Sequence, residues 1–331
     1  MKFPHRRQFL HLTAGAAMLP FAPHKARAQA YPSRPITMVV PFVAGGGTDV
    51  VGRILSESLR ASLGQAIIIE NVVGANGSVG VGRVARSQPD GYTLVLGIWN
   101  THVSNGALYA LQYDIMNDFE PVGLISTYPG LIVARNAIPA KDLNGFIAWL
   151  RANPDKASMG TPGVGAASHI GGLLFQKETG TRFQFVPYRG GTGQAMQDLL
   201  SGQIDIIFDT PANSLPQVRA GRIKAYAVMG KSRLAAAPDI PTADEAGLPG
   251  FFLSNWNALF APKRTPKDVI GKLNAAIVEA LGNASVRSRL ADLGQNIPPR
   301  EEQTPEALAA LQKAEIEKWW PIIKSANIKG E

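Results

Sequence analysis

The sequence predicts an α/β fold with two lobes and a ligand cleft between them. Short apolar runs alternate with helical patterns along most of the chain, and this alternation occurs in two successive series. The length of 331 residues is enough for about two domains of ~150 residues, each with its own core. Ligands of open parallel sheets bind at the carboxyl ends of the strands, so we expect the site in the turns there.

The first series begins with an apolar strand at residues 36–40. Apolar residues then repeat at helical spacing until Gly64, which is typical of a helix terminator. Strands at 66–70 and 93–97 flank a short helix at 78–87. Strand–helix–strand alternation predicts a parallel sheet.

The second series follows the same pattern and is succeeded by a mainly helical third of the chain. We expect strands at 131–134, 157–160, 185–188, 204–208 and 223–229, and helices at 143–150, 168–178, 192–200 and 212–220. Thr265 and Pro266 are typical of an N-cap and a first helical residue, and helices at 284–293 and 305–320 follow. The pair Trp319-Trp320 is interpreted as packing.

The first 28 residues predict an export signal. A basic start precedes a short apolar stretch at 9–22, and Ala26-Arg27-Ala28 is typical of a cleavage site. Arg6-Arg7 followed by Phe9-Leu10 indicates the twin-arginine route, and an ordinary signal that happens to contain two arginines is the alternative. Both routes lead to the bacterial periplasm, with cleavage after Ala28.

Charge and cysteine content exclude several classes of protein. The net charge is +8, but five of the 33 basic residues lie in residues 1–28, which leaves 28 basic and 25 acidic residues. The remaining +3 does not favour a nucleic-acid partner. The absence of cysteine excludes disulfides, thiolate metal sites and a cysteine nucleophile. No later stretch is as apolar as the ~20 residues that a membrane span needs.

A Gly-rich turn between the first strand and the first helix is the strongest candidate for ligand binding. Residues 41–49 contain Gly45-Gly46-Gly47-Thr48-Asp49, and free N–H groups at a helix start favour an anion. Neither a P-loop nor a G-x-G-x-x-G motif is present, so no nucleotide cofactor is expected. The alternative is an ordinary tight turn with Thr48 as the N-cap and Asp49 in the first helical turn.

A second turn of this kind, residues 160–169, precedes a helix of the second series. Gly163, Gly165, Ser168 and His169 belong to it. Two helix starts in different lobes could face each other across a cleft, and a ligand with two carboxylates could bridge them. A third turn, residues 74–78 with Asn76, could line the same side.

Catalytic interpretations find little support. There is no G-x-S-x-G and no H-E-x-x-H motif. His169 next to Ser168 could serve a hydrolase, but a local hydrogen bond in the first helical turn is favoured. Asp209, at the carboxyl end of a strand, could contact ligand, whereas Asp205 is interpreted as a turn residue.

Aromatic residues could form the wall of a pocket if they face the cleft. Trp99, Thr101 and His102 follow one predicted strand closely, and Trp256 lies far along the chain. Thr101 is included among the predicted ligand residues. For Trp256, a place in the core is the more common alternative. No motif predicts a metal site.

Eight short motifs, in order along the chain, resemble those of one family. They are Val40–Phe42 with Gly45–Asp49, Glu70-Asn71 with Gly74–Gly77, Pro89–Leu94, Asp118–Val122, Val186–Gly191, Pro241-Thr242 with Glu245–Gly247, Trp256, and Ala261-Pro262 with Thr265-Pro266. The chain is thereby similar to the Bug family of extracytoplasmic solute receptors, the TctC-type binding proteins of tripartite tricarboxylate transporters.

The resemblance implies a type II-like periplasmic binding protein that closes on a small carboxylate. Residues 29–127 and 230–331 would form the first lobe and residues 128–229 the second, with a hinge at the two crossings. The residues carried over are, for the first turn, Phe42, Ala44, Gly46, Thr48 and Asp49, and for the second turn Gly163, Gly165 and Ser168. Ala166 stands where the family often has Ser or Thr, which removes one hydroxyl contact.

The partners implied by the resemblance are a small carboxylate and membrane transporter subunits. The ligand would be a di- or tricarboxylate or an aromatic acid. We expect a monomer that is not an enzyme and has no cofactor. A periplasmic hydrolase using His169 and Ser168, and a ligand sensor for a membrane kinase, remain as alternatives.

Overall fold

The computed structural model describes residues 31–188 and 192–325 and contains two five-stranded sheets. The predicted export signal, residues 1–28, lies outside the described residues. The first sheet has the order β2-β1-β3-β10-β4 and the second β7-β6-β8-β5-β9. The strands are β1 (Ile36–Val40), β2 (Ile67–Asn71), β3 (Thr93–Ile98), β4 (Phe119–Pro129), β5 (Leu131–Arg135), β6 (Ser158–Thr161), β7 (Gln184–Pro187), β8 (Ile206–Asp209), β9 (Ile223–Val228) and β10 (Ser254–Pro262).

Ten α-helices surround the sheets in the described part of the chain. They are α1 (Gly47–Leu63), α2 (Ser78–Ala85), α3 (Asn105–Leu108), α4 (Leu143–Ala152), α5 (Ala167–Thr179), α6 (Thr192–Ser201), α7 (Pro211–Arg219), α8 (Lys267–Gly282), α9 (Ala284–Asp292) and α10 (Pro305–Ser325). Gly64 ends α1 with a φ of 68°, as its position predicted. Thr265 is not an N-cap, because α8 begins one residue later than predicted, with Pro266 in that position. None of these helices is long and apolar enough to cross a bilayer.

Each sheet is buried on both faces, which explains why its central strands are apolar throughout. In β1, Ile36, Met38 and Val40 pack with α1, α8 and α9, while Val39 points to the core shared with α2 and α10. In the second sheet, alternate residues of β5 pack with α6 and α7 on one face and with α4 and α5 on the other. Because successive side chains of a strand point to opposite faces, each sheet lies between two layers of helices.

Both sheets are mixed, so the prediction of a parallel sheet was wrong in part. β10 runs antiparallel to β3 and β4, and β5 runs antiparallel to β8 and β9. The two longest strands, β4 and β10, are not among the predicted ones because prolines, glycines and polar residues interrupt their apolar patterns. β10 pairs with β3 across more than 150 residues of chain, which local patterns do not reveal.

The chain crosses between the sheets at two places that lie side by side. β4 continues through Gly130 directly into β5, and the return path runs from β9 to β10. The amide of Met229 donates to the carbonyl of Gly130 (2.8 Å), Gly130 donates to Leu253 (3.1 Å), and Leu253 donates to Met229 (3.0 Å). These backbone hydrogen bonds join the crossings into one narrow connection. The predicted lobes, residues 29–127 with 230–331 and residues 128–229, are defined by which residues move together. Their limits therefore remain a prediction.

Helix α10 covers the face of the first sheet that α2 also covers. The Trp319 side chain is 2% exposed and meets Trp99 edge to face, with ring centroids 5.4 Å apart. Both indole N–H groups donate to one carboxylate oxygen of Glu315, at 2.8 and 2.9 Å. Trp320 donates to the Val103 carbonyl (2.9 Å). The interpretation of the tryptophan pair as packing is confirmed.

Replacing Trp319 by alanine tests how much the packing of α10 on the sheet contributes to stability. Trp319→Ala removes a buried ring and leaves a cavity, so we expect the free energy of unfolding to fall by about 3–5 kcal/mol. Urea unfolding measures it. Glu317→Ala, on the exposed side of the same helix, serves as the control, with a change within about 0.5 kcal/mol. Equal losses in the two variants would contradict the assigned role of Trp319.

Candidate functional site

The first Gly-rich turn joins β1 to α1 and leaves the start of this helix without a side-chain cap. Gly46 is the N-cap and makes no side-chain hydrogen bond, so Thr48 is not the N-cap that the alternative interpretation named. Ala44, Gly45 and Gly47 are exposed, while Phe42, Gly46 and Thr48 are partly buried. Gly45 has a φ of 80°, a conformation that favours glycine. The first amides of α1 are therefore open to an anion.

Asp49 holds this turn in place. Its Oδ2 accepts from the Gly45 amide (2.8 Å) and from Arg53 Nε (2.8 Å), and its Oδ1 accepts from Arg53 Nη2 (3.1 Å) and Asn71 Nδ2 (3.0 Å). Burial favours a raised pKa for Asp49, but hydrogen bonds from Arg53, Gly45 and Asn71 outweigh it, and the pKa is lowered. Both carboxylate oxygens are thus committed to the protein, which gives Asp49 a positioning role.

The third turn packs directly against the first. A Cβ on Gly77 would lie 2.7 Å from Thr101 Cγ2 and 3.3 Å from Phe42 Cζ, so Phe42, Asn76 and Thr101 lie in one region. Asn76 donates to Asn105 Oδ1 (2.9 Å), and Asn105 donates back to the Asn76 carbonyl (3.0 Å). The hydroxyl of buried Thr101 is occupied by backbone atoms of Ile98 and by the His102 ring.

The second Gly-rich turn joins β6 to α5, and this helix also starts without a side-chain cap. Ala166 is the N-cap, and the turn contains Gly163 and Gly165 at φ values of 132° and 81°. In the first turn of α5, the buried Ser168 Oγ has no hydrogen-bond partner in the protein. Burying a hydroxyl without a hydrogen-bond partner raises the free energy of the folded protein. The Ser168 hydroxyl is therefore suited to donate a hydrogen bond to a ligand oxygen.

His169 is engaged locally, as the favoured interpretation stated. Its Nδ1 accepts from the Gly165 amide (3.3 Å), and its ring meets Phe185 edge to face at 4.6 Å. Burial lowers the pKa of His169, so the ring is neutral near pH 7. Because Ser168 Oγ has no partner, the serine–histidine hydrogen bond that a hydrolase needs is not formed.

Asp209 lies at the carboxyl edge of the second sheet. β6 and β8 are parallel and pair Gly160 with Ile207, so Asp209 is adjacent to the beginning of the second Gly-rich turn. Its Oδ2 accepts from Asn213 Nδ2 (2.8 Å) and Ser214 Oγ (2.6 Å), whereas its buried Oδ1 forms no hydrogen bond of standard geometry. The Thr210 amide and the Thr192 side chain also face the carboxyl group and favour its charged form. Burial raises the pKa of Asp209 to about 6. Ser168 and Asp209 thus bring two unused polar atoms to this edge.

The aromatic candidates do not form a pocket wall. Trp99, His102 and Trp256 are 0%, 0% and 2% exposed and belong to the hydrophobic core. The His102 ring stacks on Phe260 at 4.0 Å with an interplanar angle of 9°. Apolar spacing cannot distinguish a core aromatic residue from one that lines a cleft, since both kinds occur within or next to a buried strand.

Other residues have roles that differ from the sequence-based expectation or were not expected. Asp205 is not a simple turn residue, because its carboxylate pairs with Arg135 Nε (2.5 Å) and accepts from the Ser158 amide (2.8 Å). Asn71 supports the first turn by donating to the Phe42 carbonyl (2.9 Å). The Glu70-Asn71 motif could have indicated Asn71, whereas nothing local indicated Asn105. Residues 31–188 and 192–325 contain no group of three or more His, Asp or Glu side chains that could hold a metal.

The buried histidine makes stability depend on pH. Burial lowers the pKa of His102 from 6.5 to about 3, so the unfolded state takes up a proton between these values and the folded state does not. We therefore expect this group to reduce the free energy of unfolding by about 2 kcal/mol between pH 7 and pH 5. The His102→Phe variant, which keeps an aromatic ring there, should lack this loss.

Urea unfolding of both proteins at the two pH values measures the effect. Asp209 acts in the opposite direction, since its raised pKa favours the folded state as the pH falls below about 6. The informative quantity is therefore the difference between the wild type and the variant. Parallel pH profiles for the two would show that His102 is not a buried neutral group.

Comparison with known proteins identifies the relatives of the chain. The sequence profile of the TctC family, described as "Tripartite tricarboxylate transporter family receptor", matches residues 51–328. The protein of Agrobacterium vitis described as "UPF0065 protein in the TAR-I ttuE-ttuC' intergenic region" is 40% identical over 323 residues, which cover 97% of this chain and 92% of that protein.

Two solved structures share the fold. MatC (Rpa3494) from Rhodopseudomonas palustris, solved with bound malate, is 41% identical with a TM-score of 0.81, covering 88% of this chain and 100% of that one. Rpa4515 from R. palustris, solved with adipate, is 30% identical with a TM-score of 0.82, covering 90% and 99%. These similarities confirm the predicted two-lobed α/β fold.

Proposed function

Because the chain belongs to the TctC family of tripartite tricarboxylate transporter receptors, also called the Bug family, we propose that it binds a small dicarboxylate between its two Gly-rich turns. The family consists of periplasmic solute receptors, and this chain is a solute-binding protein of that family. The observation that carries the site is the pair of uncapped helix starts, one of which holds the unpartnered Ser168 hydroxyl.

Backbone dipoles supply the selectivity for anions in this proposal. The starts of α1 and α5 each offer free amides, and each helix start stabilises a negative charge by about 0.3–1 kcal/mol. The predicted contacts Ala44, Gly46 and Thr48 belong to the first turn, and Gly163, Gly165 and Ser168 to the second. Asp49 and Asn76 support these turns rather than the ligand, since their side chains are bonded to the protein.

A dicarboxylate is favoured over an aromatic acid. The aromatic side chains that suggested an aromatic ligand are buried in the core. The solved relatives contain malate and adipate, which both carry a carboxylate at each end. Two helix starts in separate halves of the molecule match such a ligand. We further propose a monomer without enzymatic activity or cofactor that delivers its ligand to the membrane subunits of a tripartite transporter.

Export completes the proposal. The family is periplasmic, and residues 1–28 have the composition of an export signal. We propose the twin-arginine route, with cleavage after Ala28. N-terminal sequencing of the protein from the periplasmic fraction tests both statements, and secretion that survives Arg6→Lys with Arg7→Lys would exclude the twin-arginine route.

Calorimetry with a set of acids tests the ligand class. We expect L-malate, succinate or adipate to bind and to raise the melting temperature, and glucose to have no effect. Ser168→Ala should weaken binding about tenfold or more, because a hydrogen bond to a charged group is lost. Ser201→Ala is the matched control, since Ser201 is exposed and bonds only within α6. Binding of neutral sugars without any carboxylate would overturn the proposal.

Asp209 offers a test of how a hydroxyl on the ligand is recognised. We propose that Oδ1 accepts the hydroxyl hydrogen of a ligand such as malate, since Oδ2 is already engaged. In Asp209→Asn, the amide oxygen must take the position of Oδ2, because Asn213 and Ser214 donate to it. The amide NH₂ group then takes the position of Oδ1 and cannot accept a hydrogen bond. We expect the ratio of malate to succinate affinity to fall several-fold. A ratio equal to that of the wild type would contradict this role.

A further inference from the structure

Residues 100–109, called the latch segment here, contact the second and the third Gly-rich turns. The segment follows β3 of the first sheet and begins with a π-helical turn, Asn100–Ser104, in which the Asn105 amide donates to the Asn100 carbonyl five residues earlier. It continues through α3. π-helical turns are rare and occur frequently at functional sites.

The latch segment reaches the second sheet through Gly165. Ser104 is fully buried, and its hydroxyl hydrogen is shared between the Asn100 carbonyl (3.1 Å) and the Gly165 carbonyl (3.2 Å). The Leu108 side chain lies so close that a Cβ on Gly165 would be 2.2 Å from Leu108 Cδ1. The Tyr109 hydroxyl is 3.5 Å from the Val164 carbonyl. A glycine at position 165 permits this close approach.

The same segment supports the turns of the first sheet. Thr101 packs under Gly77, and Asn105 donates to the Asn76 carbonyl and to Ser78 Oγ, both at 3.0 Å. Gly77 in turn lies against Phe42 of the first turn. One short stretch of chain thus contacts the turns on both sides of the proposed ligand site.

The latch segment is held firmly on the side of the first sheet. Gln312 of α10 donates to the His102 carbonyl (2.9 Å), and Trp320 donates to the Val103 carbonyl (2.9 Å). Gly165, by contrast, belongs to the turn that starts α5 in the second half. The contacts of Ser104 and Leu108 with Gly165 therefore join the two halves beside the Gly-rich turns, and a separation of the halves about Gly130 would break them.

We propose that the latch segment is a positioning element that holds the two halves together through Ser104, Leu108 and Gly165 and slows the release of ligand. Ser104 acts through the Gly165 carbonyl and has no assigned contact with the ligand. The proposal goes beyond ligand binding itself, and only its effect on release depends on the proposed function.

The experiment measures closure directly in the full mature protein. Because the chain has no cysteine, Arg60→Cys on α1 and Glu178→Cys on α5 provide two unique exposed positions for fluorescent labels. In the protein without ligand, Ser104→Ala should lower the ratio of short to long label distances about fivefold, as expected for one hydrogen bond. Tyr109→Phe should shift the ratio in the same direction.

The control is Ser87→Ala. Ser87 Oγ donates to the carbonyl four residues earlier, as Ser104 Oγ also does, but Ser87 is only partly buried and lies just after the end of α2, in the first half of the molecule. This variant should leave the distances unchanged. Circular dichroism and the melting temperature verify that each variant is folded.

A second measurement uses L-malate as the probe. Stopped-flow displacement should show a dissociation rate about fivefold higher for Ser104→Ala, with the association rate unchanged. Label distances that are identical in the parent, Ser104→Ala and Tyr109→Phe would overturn the latch. Failure of the wild type to bind L-malate would argue against the proposed ligand while the label distances still decide on the latch.

Discussion

The hydrogen bonds among Gly130, Met229 and Leu253 are the constraint on which the rest of the structure depends. They bring the two crossings between the sheets together, and in each half a Gly-rich turn follows the carboxyl end of a strand. The contacts of Gly165 with Ser104 and Leu108, on which the proposed latch rests, join the two halves at a second place.

Side chains and backbone have different tasks at the site. Three polar side chains form hydrogen bonds with backbone atoms of the turns and so fix the path of the backbone. They are Asp49, Asn71 and Asn105. The amides at the starts of α1 and α5 are left without side-chain caps. Anion selectivity from such amides requires no basic cluster, which agrees with the small net charge that remains outside residues 1–28.

Not every buried polar atom of the proposed site has a hydrogen-bond partner in the protein. Ser168 Oγ and Asp209 Oδ1 form no hydrogen bond of standard geometry with the protein, although most buried polar groups do. Both lie at the carboxyl edge of the second sheet, one as a donor and one as an acceptor. In the function proposed above, these two groups add hydrogen bonds to the ligand beside those of the helix amides.

The sequence by itself determined the α/β class, most strands and helices, the Gly-rich turns and the family. These features are local, because apolar spacing and glycine at a helix start express the conformation of a few neighbouring residues. The tertiary structure alone decided that β10 inserts between β3 and β4, that Trp99, His102 and Trp256 are buried, and that Asn105 supports the third turn. It alone brought Ser104 to Gly165. Each of these outcomes joins residues distant in the chain or selects one of two environments that share the same local pattern, so its physical cause is packing, which no short segment encodes.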